Sequence, residues 1–216
     1  MKILITAGPT REPIDPVRFL TNRSSGKMGY TLAGAFIHEG HSVLLVSGPT
    51  HLAVPENVDF IPVETAAEMH EVVSHHIGRM DIAVFAAAVA DYTPAKVANQ
   101  KMKKSGDSLT LELVRTADIL GAARQKFDFL GTLVGFAAET ENLEENARDK
   151  LSRKACDLII ANDVSKPEIG FDSDSNEVLL VYPDRSELLP TASKHEISLQ
   201  LVDEIIRLHA TRSRSS

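Results

Sequence analysis

Apolar runs of strand length recur along this chain, and amphipathic stretches separate them. KILITA (residues 2–7), SVLLVS (42–47), DFIPVE (59–64), IAVFAAAV (82–89), TLVGFAA (132–138) and DLIIAND (157–163) are apolar at consecutive rather than alternate positions. A strand with both faces apolar is covered on both sides, as in a parallel sheet packed between helices. Between these runs, KMGYTLAGAFIHEG, TAAEMHEVVSHHIGRM, ADILGAARQKF and ENLEENARDKLSRKA place apolar residues three and four apart, the period of a crossover helix.

Two segments break the alternation. Residues 93–116, TPAKVANQKMKKSGDSLTLELVRT, contain no parallel-strand unit, but LTLELV alternates and reads as a hairpin arm or a projecting strand. After the polar loop VSKPEIGFDSDS (164–175), NEVLLVYPDRSELLP reads as an antiparallel hairpin turning at Pro183-Asp184. KHEISLQLVDEIIRLH then forms a closing helix, and ATRSRSS (210–216) reads as a frayed tail. With no internal repeat or linker, the pattern predicts one domain over residues 1–216. Its fold class is α/β: a Rossmann-like, doubly wound, mainly parallel sheet with helices on both faces, a projecting strand segment and a C-terminal β-hairpin.

Charge narrows the partners. A formal net charge of −7 disfavours a nucleic-acid binder, because phosphate backbones are gripped through Lys and Arg. The single cysteine, Cys156, cannot form an intrachain disulfide, and MKILITAGPT breaks at Gly8-Pro9, too early for a signal or a membrane span. The expectation is a cytoplasmic protein with no membrane partner. His38, His41, His75 and His76 show no metal-ligand spacing, so no protein metal site is expected.

Ligands of an open parallel sheet bind beyond the carboxyl ends of the strands, where the strand order reverses. After the first strand comes a loop of about twenty residues, GPTREPIDPVRFLTNRSSG, where a dinucleotide fold has a tight G-x-G-x-x-G turn. Within it, TNRSSGKMG imitates a P-loop, but Thr21 stands where the first Gly belongs and Met28 where the Ser/Thr belongs. Ser24, Ser25 and Gly26 precede a helix, so they either cap it or leave its N–H groups for an anion. Arg18 and Asn22, four apart, share a face if the loop is briefly helical. AAAVADY (86–92) offers small side chains around Ala86, Ala87 and Ala88, and a carboxylate at Asp91. That run suits either a flat ligand against the backbone or tight helix packing. Lys101, Lys103 and Lys104 form a basic loop, solvated or functional, and Lys150 and Lys154 share one helical face.

These blocks in order, ITAGPTREPIDPVRFLTNRSSGKMG, AAAVADY, KMKK, VGFAAET, KLSRK and DLIIANDV followed by GF and a later Asn, resemble the phosphopantothenoylcysteine synthetase family of coenzyme A biosynthesis. The resemblance implies a ligase. The carboxylate of 4′-phosphopantothenate attacks the α-phosphate of CTP, less readily ATP, and L-cysteine then displaces CMP from the acyl-nucleotidylate. It further implies Mg²⁺ with the nucleotide, a homodimer in which residues 93–116 help complete the neighbouring site, and a stand-alone synthetase. No flavin is then expected, since the flavin-dependent decarboxylase would be a separate partner chain. Carried over by position, Asn22, Lys101 and Arg18 are catalytic, Lys101 lying on a mobile flap. Ala86, Ala87, Ala88, Asp91, Lys101, Ala117, Asp118, Ile119, Leu120, Phe136, Lys150 and Lys154 bind the nucleotide. Ser24, Ser25 and Gly26 receive the phosphate of phosphopantothenate or the acyl-phosphate linkage. Ala117 departs from the family's Pro before Asp. The residues alone leave two alternatives, an NADP-dependent Rossmann-type reductase and a non-catalytic nucleotide-binding module.

Overall fold

The computed structural model describes residues 1–104, 106–165 and 175–215. Six strands build the parallel part of the sheet: β1 (Lys2–Ala7), β4 (Ser42–Ser47), β5 (Asp59–Pro62), β6 (Ile82–Phe85), β9 (Thr132–Glu139) and β10 (Leu158–Asp163). Two antiparallel strands, β11 (Ser175–Val181) and β12 (Ser186–Ser193), extend one edge and turn at Pro183-Asp184 as the pattern predicts. The spatial order is β12-β11-β10-β9-β6-β1-β4-β5. From β1 the chain builds outward through β4 and β5, then crosses back to β6 on the other side of β1. The order therefore reverses between β1 and β6, and a crevice opens beyond Ala7 and Phe85.

Helices cover both faces because the strands are apolar on both. Ile3, Ile5, Val84 and Ile160 face α1 (Lys27–His38) and α5 (Lys194–Ser215), whereas Leu4, Val46, Ala83 and Ile159 face α2 (Ala66–His76), α3 (Ile119–Gln125) and α4 (Leu143–Lys154). Each wholly buried Ile or Leu contributes about 1.5–3 kcal/mol relative to exposure. Among the described residues no helix is long and apolar enough to cross a membrane.

Four expectations change. The loop after β1 makes no helical turn; it folds as a small antiparallel ladder, β2 (Arg11–Pro13) on β3 (Phe19–Thr21), with the Arg11 guanidinium 4.6 Å from the Phe19 ring centre. Arg18 and Asn22 flank β3 and share no helical face. IAVFAAAV is strand only to Phe85, after which the alanines leave the sheet. Among the described residues of the projecting segment, strand is confined to its two ends, where Tyr92–Pro94 (β7) pairs with Leu113–Arg115 (β8), so most of LTLELV lies outside the ladder. Finally, 210–215 is not frayed. α5 runs to Ser215 because Arg212 ties it back to the Asp157 carboxylate and the Leu130 carbonyl. The GF dipeptide and most of the 164–175 loop lie outside the described residues.

The α1–β1 contact sets the width of the crevice. A Cβ placed on Gly29 would lie 2.5 Å from the Ala7 Cβ, well inside the ~3.5–4.0 Å carbon–carbon optimum. Alanine gains up to about 1 kcal/mol over glycine in a helix, but overpacking costs about 1–3 kcal/mol, and the overlap here is severe. Gly29→Ala is expected to lower stability by roughly 1–2 kcal/mol in urea unfolding; unchanged or raised stability would show that α1 is free to retreat.

Candidate functional site

Glycine forms the floor of the crevice. Gly26 adopts φ 76° as the N-cap of α1, and a Cβ there would stand 2.8 Å from Thr50 Cγ2 and 3.2 Å from the Gly8 Cα. No side chain caps α1 and its first turn holds no acidic residue. The positive end of its dipole therefore faces the crevice, with no acidic residue in its own first turn.

Two adjoining chambers occupy the crevice. The first, about 420 Å³, lies between the α1 N-terminus and the ends of β6, β9 and β10. It gathers Asn22, Ser24, Ser25, Gly26, Ala86, Ala87, Ala88, Asp91, Phe136 and Lys150 from the sequence-derived set. The second, about 760 Å³, gathers Ala117, Asp118, Ile119, Leu120 and Lys154, and shares Ala87, Asp91, Phe136 and Lys150 with the first. Their charges differ. Among the described residues, Arg23, Lys27, Lys150 and Lys194 line the first chamber with one carboxylate, Asp91. In the second, Arg115, Lys150, Arg153 and Lys154 are matched by Asp91, Asp118, Glu139 and Asp149. The cationic chamber suits a polyanion and the balanced one a neutral polar group.

Backbone bonds explain how the walls hold. The N–H of Ala86 donates to Thr6 O (3.1 Å), that of Ala87 to Thr6 Oγ1 (3.3 Å), and that of Ala88 to Gly8 O (2.9 Å). The N–H groups of Ala86, Ala87 and Ala88 are thus committed within the fold, and their small side chains leave the wall of the crevice open. Asn22 spans the crevice by donating its Nδ2 to Ala88 O (3.3 Å) and Val89 O (3.1 Å). Because both partners are acceptors, the orientation of the amide follows.

Arg18 and Lys101 line neither chamber. Arg18 donates to the buried Asp15 carboxylate (2.5 Å) and to Met102 O (2.9 Å), and Met102 N–H donates to the same carboxylate (3.1 Å). The root of the basic loop is thereby tied to the β2–β3 ladder one residue from Lys101. The Arg18 guanidinium holds the Asp15 carboxyl well below its ordinary range despite burial.

Burial pulls the Lys150 ammonium below its ordinary pKa, and its Nζ donates to Phe136 O (2.7 Å). Burial also opposes the Asp118 charge, but Lys154 and the Gly121 N–H (3.0 Å) outweigh it, so the carboxyl sits below its usual value. Desolvation pushes the Cys156 thiol up to about 12, which leaves it neutral and inert. Among the described residues no three His, Cys, Asp or Glu side chains cluster to hold a metal.

Several lining residues went unassigned in the sequence. Asn162 and Glu139 fall within the strand-end stretches, and Asn176 is the later Asn of the resemblance. Lys194 gave no signal. It reaches the first chamber because β11 runs back from the carboxyl edge and β12 returns to it, placing the start of α5 there.

An α/β domain with an anion-directed crevice at its switch point is the class these features define. Residues 1–208 match the family described as DNA/pantothenate metabolism flavoprotein C-terminal domain, and the chain belongs to that family. It is 46% identical over 99% of its length to the coenzyme A biosynthesis bifunctional protein CoaBC of Escherichia coli (strain K12), covering 53% of that protein. Against the protein of the same name from Bacillus subtilis (strain 168) it is 49% identical over 95% of the chain and 51% of the relative. The chain thus spans about half the length of the curated relatives it matches. A crystal structure of the C-terminal domain of a CoaBC protein superposes with a TM-score of 0.80 at 42% identity, over 94% of this chain and 93% of that one.

Asp15 gives a test of the loop anchor. With its folded pKa depressed, the carboxylate stabilises the fold above its unfolded value of about 3.9, and the contribution fades as pH falls from there toward the folded value. Asp15→Asn is expected to be less stable than the parent at pH near 6, with the gap narrowing below about pH 4 in urea titrations. A gap independent of pH would assign the loss to packing instead.

Proposed function

We propose that this chain is a phosphopantothenate–cysteine ligase of coenzyme A biosynthesis, using CTP to form an acyl-nucleotidylate that L-cysteine captures. The observation that carries the reading is the pair of joined chambers at the switch point, one cationic at an uncapped helix N-terminus and one charge-balanced. Membership of the pantothenate-metabolism family and the naming of relatives for coenzyme A biosynthesis support it.

In this mechanism the base lies in the balanced chamber against Phe136 and the Ala117–Leu120 backbone, with Ala86, Ala87, Ala88 and Asp91 along its wall. Lys150 and Lys154 meet the phosphates. The reacting acyl-phosphate linkage sits at Ser24, Ser25 and Gly26, where the N-terminal end of α1 stabilises negative charge as it develops in the transition state. Acyl transfer of this kind needs no protein nucleophile, only alignment and charge stabilisation. Asn22 aligns the acyl-nucleotidylate for attack by the cysteine amine. Mg²⁺ fits as an ion carried on the triphosphate, with Asp91 the carboxylate common to both chambers, because magnesium characteristically binds phosphates through one or two protein oxygens. The reductase alternative lacks a glycine fingerprint for its cofactor.

The direct experiment measures pyrophosphate release before cysteine is added. Release that requires CTP and 4′-phosphopantothenate together is the expected result, whereas CTP binding without release identifies a regulatory module. Asn22→Asp should release pyrophosphate yet accumulate the intermediate; normal product formation by that variant removes Asn22 from the second step.

Lys101 acts from the 93–116 segment in a homodimer, and Arg18 acts from the β2–β3 loop that holds the root of that segment through Met102 O. Exposed Phe19, Tyr92, Leu113 and Val114 sit on the two small ladders, and β2 lies against β7, giving one apolar surface for a second copy. With Lys101 supplied by the neighbour, mixing inactive Asn22→Asp and Lys101→Gln chains rebuilds one intact site per mixed dimer. Ligation should recover to about a quarter of the parent rate under random pairing of a two-fold dimer. No recovery would place both residues in one chain's own site.

A further inference from the structure

The core face of β11 ends on an amide. Along NEVLLV the buried positions alternate, and Val178 and Leu180 pack with the α1 and α5 layer. Asn176 continues that row to the carboxyl edge of the sheet and is only 2% exposed. The ladder with β12 is irregular there. Pairing moves from Val178–Leu189 to Asn176–Ala192, one residue more on β12 than on β11, which adds local twist at the strand end. A buried amide in an apolar row is costly unless its polar atoms find partners.

Half of this amide is bonded within the fold. Its Oδ1 accepts the Glu177 N–H (3.0 Å), which fixes the orientation of the group, and among the described residues its Nδ2 has no hydrogen-bond partner. Among the same residues no side-chain nitrogen or oxygen is both shut away from the surface and unbonded, so the Nδ2 opens into the first chamber, which Asn176 lines. Lys194, itself buried, lines that chamber two residues beyond Ala192. This end of the chamber therefore presents N–H donors to a ligand that brings acceptors.

Strand order shows which acceptors reach it. β10 and β11 lie beyond β9, and among the described residues the second chamber takes residues from β9 but none from β10 or β11. A nucleotide with its base in the second chamber and its α-phosphate near Lys150 carries its outer phosphates toward Asn176. Asn22, bonded to the Ala88 and Val89 carbonyls after β6, stands on the opposite side. That placement matches a transfer in which the attacking and leaving oxygens lie roughly in line. We propose that Asn176 is a substrate-binding residue whose Nδ2 donates to the outer phosphates of CTP, the end that leaves as pyrophosphate. As the carboxylate oxygen bonds the α-phosphorus, the bond from phosphorus to the bridging oxygen breaks, and that oxygen departs with the electron pair as part of the pyrophosphate. This rests on the nucleotide reading of the site given above.

The test is calorimetric titration of the intact protein with CTP, CMP and 4′-phosphopantothenate, each with Mg²⁺. Asn176→Leu extends the apolar row of Val178 and Leu180, so it removes the donor and keeps the bulk of the side chain. The parent should bind CTP more tightly than CMP. In Asn176→Leu the affinity for CTP should fall about ten- to a hundredfold, the scale of one hydrogen bond to a charged group. CMP, which lacks the outer phosphates, and 4′-phosphopantothenate should bind as they do to the parent. An unchanged CTP affinity overturns the proposal. So does an equal loss for CTP and CMP, the signature of a distorted fold or of a contact at the α-phosphate, and so does a loss confined to 4′-phosphopantothenate. If Asn176→Leu fails to fold by circular dichroism, Asn176→Ala decides by the same criteria. The nucleotide reading fails in its own way: a parent that binds neither CTP nor CMP removes the nucleotide site and this inference together. A parent that binds the two equally keeps the nucleotide site and removes only the role of Asn176.

Discussion

The α1 helix can begin at the crevice only because it touches the end of β1 without an intervening side chain. Gly29 against Ala7 and Gly26 against Gly8 bring the helix to the strand at backbone distance, and Gly26 takes a left-handed conformation that most residues avoid. That approach aims the positive end of the helix dipole at the place where the strand order reverses. The other parts of the site are arranged around it. Asn22 reaches from β3 to the Ala88 and Val89 carbonyls, and Thr10 closes the same seam by accepting the Ala90 N–H (3.0 Å). A bulkier residue at 26 or 29 would move the helix, and with it the origin of the field.

Charge is then divided along the crevice instead of being spread evenly. Among the described residues the cations outnumber the carboxylates near α1, while near α4 the two are equal in number, and the ion pair of Lys154 with Asp118 both satisfies a lysine and anchors the N-cap of α3. A ligand with one highly anionic end and one neutral polar end has a single favourable direction in such a field. The protein as a whole carries a net charge of −7, so this local positive region is built against the overall balance.

Much of this was legible in the residues. Consecutive apolar positions gave the parallel sheet and both helical layers, because burial on two faces leaves no polar alternation to misread. The strand-end rule and the family resemblance together located Asn22, Phe136 and Lys150 in adjoining chambers. What local pattern could not supply was long-range closure. Lys194 reaches the first chamber through two antiparallel strands, and Arg212 orders a polar C-terminus through Asp157, a partner 55 positions earlier. The local pattern of the loop after β1 also gives no ladder, because its fold depends on Asp15, whose buried carboxylate collects Arg18, Val17 N–H and Met102 N–H from two separate segments.

That same carboxylate couples the parts of the site that stand outside the chambers. Asp15 binds Arg18 and Met102 together, and Ala98 N–H donates to Ile14 O (3.0 Å), so the basic loop is tied at two points to the β2–β3 ladder. Any movement of Lys101 toward the crevice then pivots about fixed points. The ladder bearing those points also leads through Thr21, whose hydroxyl donates to Thr10 O (2.7 Å), into Asn22. The loop root and the residue that bridges the crevice are thus joined by a short chain of hydrogen bonds that does not pass through the sheet.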